Sequence, residues 1–489
     1  MSDDAHSEEK MKVGPGKTSQ QWETMMPRWC KINAALGGTE TMRVAGQAYL
    51  PKHTEETTTA YNERLSKSVF TNVSKQTLET WVGKPFSEKV KINDDVPDQI
   101  KTLLDNVDLC GNELQVFAHN WFMKGLSKAF AHVLVEFPRV DNDGTRTRAD
   151  DLRENVRPYL VLIEPENVIA AKTEVVSGQE IVTHLRIRET AELQDPDDEF
   201  SLRIVHRIRV YDIGQVRLYE WRQGANKDYF WDLIDMWDYS FPLIPLVTFY
   251  ANREAPFLGK PPIEDLVDLN IAHFQSTSDQ TNILTVTRFP QLAVSGAVDN
   301  EQLTVGPNNF IKLSNPAAKV YYVEHQGQAI AAGDKDIESL ERRMHAYGTQ
   351  FLQKRPGRET ATARAIDTAE ANSELQDAAI RFNDALNQAL YLMGLWINLD
   401  DSGTVSVQTN FGITEGSPES LQTLQLSRQN GDISRTQYVN ELVQRGVLSD
   451  RFDPTVNDTE LVKEQAEDLK YQSEVAKIEA TKKPALTTS

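Results

Sequence analysis

An α+β fold is what the sequence predicts, and three observations carry it. Residues 129–250 break into short, β-branched, often alternating segments. The stretches before and after them carry apolar residues at steps of three and four. The longest of these, residues 356–399, is a single helical pattern with no Pro or Gly from Glu359 to Met393. Period-two and period-3.6 patterns occupy separate blocks of the chain, and such segregation belongs to α+β architectures.

The bulk numbers bound the function. A chain of 489 residues has room for roughly two to four packing units around a large core. The net charge is −20. Tight nucleic-acid grip comes from basic patches that neutralise phosphates, so a gripping surface is excluded while a surface that DNA slides past is not. Two cysteines, Cys30 and Cys110, are too few for a disulfide framework and lack metal spacing, which fits a reducing compartment. The first ten residues are polar and charged, so no secretory leader is expected. No run of about 18 apolar residues suggests a membrane span.

Taken in order, residues 1–20 read as a disordered tail rich in Asp, Glu, Lys, Gly and Pro. A helix is expected over 55–82, with Tyr61, Leu65, Val69, Val73, Leu78 and Trp81 on one face and Gly83-Lys84-Pro85 as its stop. Two more, 97–107 and 112–128, are split by Gly111. The β block is punctuated by turn chemistry at Asn142-Asp143-Gly144 and Ser177-Gly178, and residues 243–250 close it. Residues 262–288 form a helix opened by two prolines, with Ile263, Leu266, Leu269, Ile271 and Phe274 on its apolar face. Short strands return from Pro290 to about Gly327. A helix over 334–353 and a basic loop, Lys354 to Arg358, lead into the long helix. Its stripe runs Ile366, Ala369, Leu375, Ala379, Phe382, Leu386, Leu390 and Met393, interrupted by a polar break at Asn372–Ser373 where a bend is expected. A strand (404–411), helices 418–429 and 433–446, and a charged helix 458–481 complete the chain. No internal repeat is visible.

Motifs for chemistry are weak. Gly14-Pro15-Gly16-Lys17-Thr18 ends like a phosphate loop, but Met11 stands where the pattern needs glycine and no strand precedes it. Arg139 to Asp150 resembles a calcium loop with Arg139 at its first ligand position, so a hairpin turn is the better reading. The nine histidines show no zinc spacing. No catalytic residue, cofactor or metal is therefore expected. Two charged groups stand out. Glu264, Asp268 and Asp279 lie on one side of helix 262–288, as a solvated face or as an electrostatic wall. Lys354, Arg355 and Arg358 sit at a helix–loop–helix junction, as caps for the preceding helix or as phosphate contacts.

The order of helix, small β insert, helix, basic loop and long helix resembles the stem, clip, stem, tunnel loop and tunnel helix of tailed-bacteriophage portal proteins. Local strings are similar to one portal-like family of unassigned name. They are residues 48–72, VGKPF at 82–86, DLCGNELQVFAHNWFMKGL at 108–126, residues 259–296, and ETATARAIDTAEANSELQ at 359–376. The match runs over most of residues 40–400, and the tail beyond 415 is generic.

The resemblance implies a portal-type fold in a cyclic homo-oligomer: a ring, usually of about twelve subunits, at one capsid vertex. It implies a disordered tail at 1–20, a wing at 21–260 and a wing strand at 400–415. Stem helices would be 261–289 and 332–349, with the clip at 290–331 between them. The tunnel loop would be 350–358, the tunnel helix 359–399, and the crown with the C-terminal tail 416–489. Double-stranded DNA would pass through the centre without sequence preference. The packaging motor (terminase) would dock on the clip, then neck and adaptor proteins; major capsid and scaffolding proteins are further partners. The protein would reside in the virion, and in the host cytoplasm during assembly, with no membrane contact and no catalysis. Lys354, Arg355 and Arg358 would touch DNA, and Glu264, Asp268 and Asp279 would line the channel. In such a ring the same helix of neighbouring subunits would cover the long helix. Two alternatives stay open: another neck or minor head component, and a metal-dependent nucleic-acid-processing enzyme.

Overall fold

The computed structural model describes residues 10–139, 147, 150, 153–195, 198–224, 228–287, 291–295, 317, 319–323, 328–350, 373–409, 418–444, 447–448 and 454–481. The architecture is α+β. The chain divides into two units, Met1–Thr409 and Asn410–Ser489.

In the first unit, helix α1 (Gln20–Gly37) starts where the Ser19 side chain accepts from the Trp22 amide, 3.2 Å away. Trp22, Met25, Trp29 and Ile32 mark its buried stripe. Short α2 (Thr39–Ala45) follows. The single helix expected over 55–82 is two, α3 (Thr58–Lys67) and α4 (Val73–Gly83). Asn72 makes the break. Its Oδ1 caps α4 at the Lys75 amide, while its Nδ2 donates to the carbonyls of Ala35 and Leu36 at the end of α1. A side chain used twice in this way competes with helix continuation. A short strand β1 (Lys91–Ile92), α5 (Asp98–Leu104) and α6 (Leu114–Lys128) come next.

The β block forms two sheets. The smaller has order β3-β2-β9, with β2 Phe130–Glu136, β3 Tyr159–Ile163 and β9 Leu246–Tyr250, all antiparallel. The larger is a meander of β4 Val168–Val176, β5 Gln179–Asp195, β6 Asp198–Asp212, β7 Gln215–Gln223 and β8 Tyr229–Asp238. Both faces of its lower half are covered. Leu185, Ile187, Tyr211 and Val216 pack with Leu134, Ile163 and Leu246 of the small sheet. Ile208 and Val210 pack with Trp22, Met25 and Trp29 of α1. Buried indoles still find acceptors: Trp22 Nε1 donates to the Glu166 carbonyl (2.8 Å) and Trp29 Nε1 to the Lys128 carbonyl (3.0 Å).

Part of the expected N-terminal tail is seated on this sheet. Trp231 Nε1 donates to the Met11 carbonyl and Arg186 Nη1 to the Pro15 carbonyl, each at 3.0 Å. Gly14–Gly16 form a 3-10 turn rather than a phosphate loop. The sequence pattern is poor in apolar residues there because backbone carbonyls, not side chains, make these contacts.

Helix α7 (Glu264–Thr287), strands β10 (Gln291–Ser295) and β11 (Lys319–Val323), and α8 (Gln328–Gln350) follow. Helix α9 (Glu374–Trp396) is what is described of the expected long helix. A bend is predicted at Asn372–Ser373; Asn372 lies outside the described residues, and Ser373 caps the start of α9. The Ser373 Oγ accepts from the Gln376 amide (3.2 Å) and the Gln376 side chain accepts from the Ser373 amide (2.8 Å), a reciprocal capping box. Residues 351–372, with Ile366 and Ala369, lie outside the described residues.

The α9 stripe is covered by this chain itself, contrary to the expectation that neighbouring copies cover it. Leu375, Ala379, Phe382, Leu386, Leu390 and Met393 are all fully buried. Phe382 sits among Phe86, Trp121, Phe122 and Phe249, with ring centroids 4.9–6.1 Å apart. Trp396 is stacked between Phe137 and Phe241 at 5.3 and 4.8 Å. Close approach is possible because Gly125 of α6 faces Phe249; a Cβ there would lie 2.3 Å from the ring. The strand expected at 404–411 reduces to β12 (Val405–Ser406), paired with β1. Asn383 and Asn387 of α9 accept from the amides of Val407 and Val405, both at 2.8 Å. The second unit contains α10 (Pro418–Asn430), α11 (Arg435–Gln444) and α12 (Pro454–Thr481).

Candidate functional site

The feature with the most functional content is the segment from α7 to α8. Pro261 and Pro262 precede α7, and Glu264 and Asp265 fill its first turn, where anionic side chains suit the exposed amides. One face of the helix is buried, and that face is not purely apolar. Asn270 Oδ1 accepts from the Ser74 amide and hydroxyl (both 3.0 Å), and its Nδ2 donates to the Thr71 carbonyl (2.9 Å). Gln275 Nε2 donates to the Tyr49 carbonyl at 2.8 Å. Ser278 Oγ accepts from Ser68 Oγ at 2.7 Å. These buried polar groups have matched partners, as desolvation requires, whereas His273 Nδ1 and Thr277 Oγ1 on the same helix are buried without one among the described residues.

The seam with α8 shows how the two helices run. Tyr347 donates to the Pro262 carbonyl (3.0 Å), and His273 Nε2 lies 3.5 Å from Glu341. Ser276 donates to Asp336 (2.8 Å), and Gln280 Nε2 to Asp334 (2.8 Å) and the Ile330 carbonyl (3.0 Å). Partners descend on α8 as they ascend on α7, so the helices are antiparallel. Beyond them the chain continues as an antiparallel ladder, Gln291↔Val323 to Ser295↔Lys319. The segment is thus helix, strand, strand, helix, with both ends returning to one body. At the base, Trp81 Nε1 donates to the Gly348 carbonyl at 3.0 Å. Residues 296–316 lie outside the described residues.

The three predicted acidic residues are not one group. Glu264 and Asp268 share Lys31, at 3.3 and 2.7 Å, and Arg28 reaches Glu264 at 3.8 Å. Burial works against the Lys31 charge, but Asp268 and Glu264 outweigh it and raise its pKa. The Glu264 side chain is only 11 % exposed and that of Asp268 is 55 %. Asp279 belongs to a second cluster, 3.1 Å from His53 and 3.5 Å from Arg64. Arg64 also holds Glu56 through two hydrogen bonds of 2.9 and 2.8 Å, which depress the Glu56 pKa to about 2. All three acids thus have cationic partners within the chain. Arg28, Lys31 and Arg64 were missed in the sequence because Glu264, Asp268 and Asp279 lie some two hundred residues or more from them. Lys354, Arg355 and Arg358 lie outside the described residues.

Two cavities lie in this unit, one beside these helices and one on the β block. One of about 440 Å³ lies between the end of α8 and the start of α9, lined by Lys260, Asp265, Tyr347, Asp377 and Arg381. Lys260 pairs with Asp265 at 2.8 Å, and Arg381 donates to the Ala251 carbonyl at 2.8 Å. The other, about 830 Å³, is lined by Glu136, Tyr159, Arg209, Tyr211, Trp237 and Trp396. There Glu136 accepts from Tyr211 (2.7 Å), Tyr159 (2.9 Å) and Arg209. Burial, and then the Glu136 charge, push both tyrosine hydroxyls well above their ordinary pKa. Among the described residues, no three His, Cys, Asp or Glu are placed to hold a metal ion. Among them too, no helix is long and apolar enough to cross a membrane.

Residues 262–397 match the family model described as Domain of unknown function (DUF4055). That segment runs from the start of α7 to the end of α9. No curated protein matches the chain significantly. Among solved structures, the chain is similar to a chain from the neck of a native GTA particle computed with C12 symmetry. The two are 8 % identical with a TM-score of 0.38, over 82 % of this chain and 98 % of the other. A likeness that remote assigns no function.

Proposed function

We propose that this protein is a portal subunit: one member of a ring at a capsid vertex through which DNA is packaged and ejected. The observation that carries the reading is the α7–ladder–α8 segment, in which two antiparallel helices tether a small β element at both of its ends. That is the arrangement the sequence resemblance requires of stem and clip. On this reading the stem is 261–289 and 332–349, and the clip is 290–331. The wing is 21–260 with the 400–415 strand, and the crown is 416–489. Tunnel-loop and tunnel-helix roles for 350–399, with DNA contacts from Lys354, Arg355 and Arg358, rest on the sequence.

The channel works by electrostatics rather than by chemistry. About twelve copies at −20 each carry a formal charge near −240, which repels phosphate and lets the duplex slide. A lining contribution from Glu264, Asp268 and Asp279 is one of carboxylates partly neutralised by Lys31, Arg28 and Arg64. The ladder offers terminase, and later neck proteins, a docking element tethered at both ends. The second reading, another neck or minor head protein, shares the virion location; the helix–β insert–helix order favours the first, because a clip needs both ends tethered to a stem.

End-on electron microscopy of the purified protein tests the reading. A ring with an opening of roughly 20 Å or more, the width of duplex DNA, is expected; a monomer with divalent-metal-dependent nuclease activity sinks it. Removal of residues 295–325 is expected to leave the ring and abolish packaging.

A further inference from the structure

Three side chains from separate elements meet at one carboxylate oxygen. Lys128 ends α6, Glu166 lies in the turn Pro165–Asn167 between β3 and β4, and Asn33 is on α1. Glu166 Oε1 accepts from Lys128 Nζ and, at 2.8 Å, from Asn33 Nδ2. Two nitrogens bonded to one oxygen lie at most about 6 Å apart. Helix α1 holds the trio in place. Residues 22, 29 and 33 fall on one face of it, and the Trp22 and Trp29 indoles donate to the carbonyls of Glu166 and Lys128.

This group differs from a surface ion pair. The Lys128 side chain is 4 % exposed and that of Glu166 14 %. An ammonium has three donors, and the acceptor described for Lys128 Nζ is Glu166. Glu166 Oε2 is buried with no hydrogen-bond partner among the described residues. A buried pair is stable only when its remaining donors and lone pairs are also met. One turn earlier on α6, Lys124 and Glu164 pair at 36 and 40 % exposure, where water meets those needs.

We infer that Lys128 and Asn33 become joined by an isopeptide bond, with Glu166 carrying the proton. A lysine amine becomes a nucleophile when it is desolvated and has a base beside it. Glu166 Oε2, the free acceptor, takes a proton from the ammonium. The amine then attacks Asn33 Cγ, and the Nζ–Cγ bond forms. Glu166 gives the proton to Nδ2, the Cγ–Nδ2 bond breaks, and ammonia leaves. The second Nζ proton departs with it as ammonium, and Glu166 ends as the carboxylate it began as. No oxidant or co-reactant is consumed. Fixed backbones at Lys128 and Glu166 supply the proximity that such a step needs. The product replaces a buried charge by a neutral amide and ties α1 to α6. The inference does not depend on the portal reading.

The test is mass spectrometry of the full chain, unfolded after purification. Most of the wild type is expected to be lighter by one ammonia, about 17 Da. Tryptic digestion should yield one branched peptide joining Lys128 to Asn33. Asn33→Ala, a change at an exposed position, should leave the fold intact by circular dichroism and restore the full mass. Glu166→Gln removes the proton carrier and should restore it too. Asn33→Asp should lose water instead, about 18 Da, through the same branched peptide. Lys124 should appear in no branched peptide. A wild type at full mass overturns the inference. So does ammonia loss without the branched peptide, as from an asparagine succinimide, or a branched peptide that persists in Glu166→Gln.

Discussion

Helices α7 and α9 are nearly equal in length, 24 and 23 residues, and each buries one face, but they are held in different ways. The α9 stripe presents Ala, Leu, Phe and Met to an aromatic cluster. That attraction is non-directional and scales with the area removed from water. Helix α7 buries Glu264, Asn270, His273, Ser278 and Gln280 as well as its apolar residues. Its position is set by which donor meets which acceptor. Non-directional burial fixes that a helix sits in the core, and directional pairs fix its register. The α7–α8 segment depends on register, since a slip there would displace the ladder at its far end.

The largest expected effect belongs to α9. Phe382→Ala removes a fully buried ring and is expected to cost about 3–5 kcal/mol in denaturant unfolding, with Phe382→Leu costing clearly less. On the α7 side the sensitive residue is Arg64, whose side chain is 3 % exposed beside Glu56 at 8 %. Arg64→Ala leaves that carboxylate buried without its cation, at an expected cost of about 3 kcal/mol. Adding Glu56→Gln should recover part of the loss. A shape-filling role alone predicts no such recovery, and additive losses in the double variant would break the distinction between the two helices.

How much was legible beforehand follows the same division. The α9 stripe from Leu375 to Met393 can be read from spacing, because amphipathic periodicity is written along the chain. So can the apolar positions Leu266 and Phe274 of α7 and Ile263 just before it, which are fully buried. The partners of Asn270, Asp268 and Asp279 cannot, since Ser74, Lys31 and Arg64 come from distant segments. The same reason hid the break at Asn72, which answers to carbonyls of α1. It also made Glu264, Asp268 and Asp279 look like one face, when tertiary cations divide them into two clusters.

A buried histidine sharpens the contrast from within the apolar region. His132 on β2 has no exposed surface, contacts the rings of Phe130 and Phe257, and bonds Thr248 Oγ1 at 2.9 Å. Burial lowers its pKa from 6.5 to about 3. The unfolded chain therefore binds a proton that the folded chain refuses over that window. Stability is fully present above pH 6.5 and falls as pH drops from 6.5 toward 3. Between pH 7.5 and 5 the expected loss is about 2 kcal/mol. His132→Asn should flatten that slope. The Glu56 contribution is lost only lower, between pH 4.5 and 2, so the two regions separate on a pH titration of unfolding.

The smallest effect tests register most directly. Gly333 of α8 faces Gln280 of α7, and a Cβ at Gly333 would lie 2.1 Å from Gln280 Oε1. Gln280 in turn bonds Asp334 and the Ile330 carbonyl. Gly333→Ala must push that side chain out of both bonds, for an expected cost of about 1–3 kcal/mol. Gln280→Ala vacates the space, so Gly333→Ala in that background should cost little or even stabilise through helix propensity. The cycle should therefore show a coupling of about 1 kcal/mol or more. Amide exchange in β10 and β11 reads the register itself. Exchange there should quicken in each single variant by more than global stability accounts for. If exchange instead tracks global stability alone, Gln280 is a packing residue, and α7 differs from α9 only in composition.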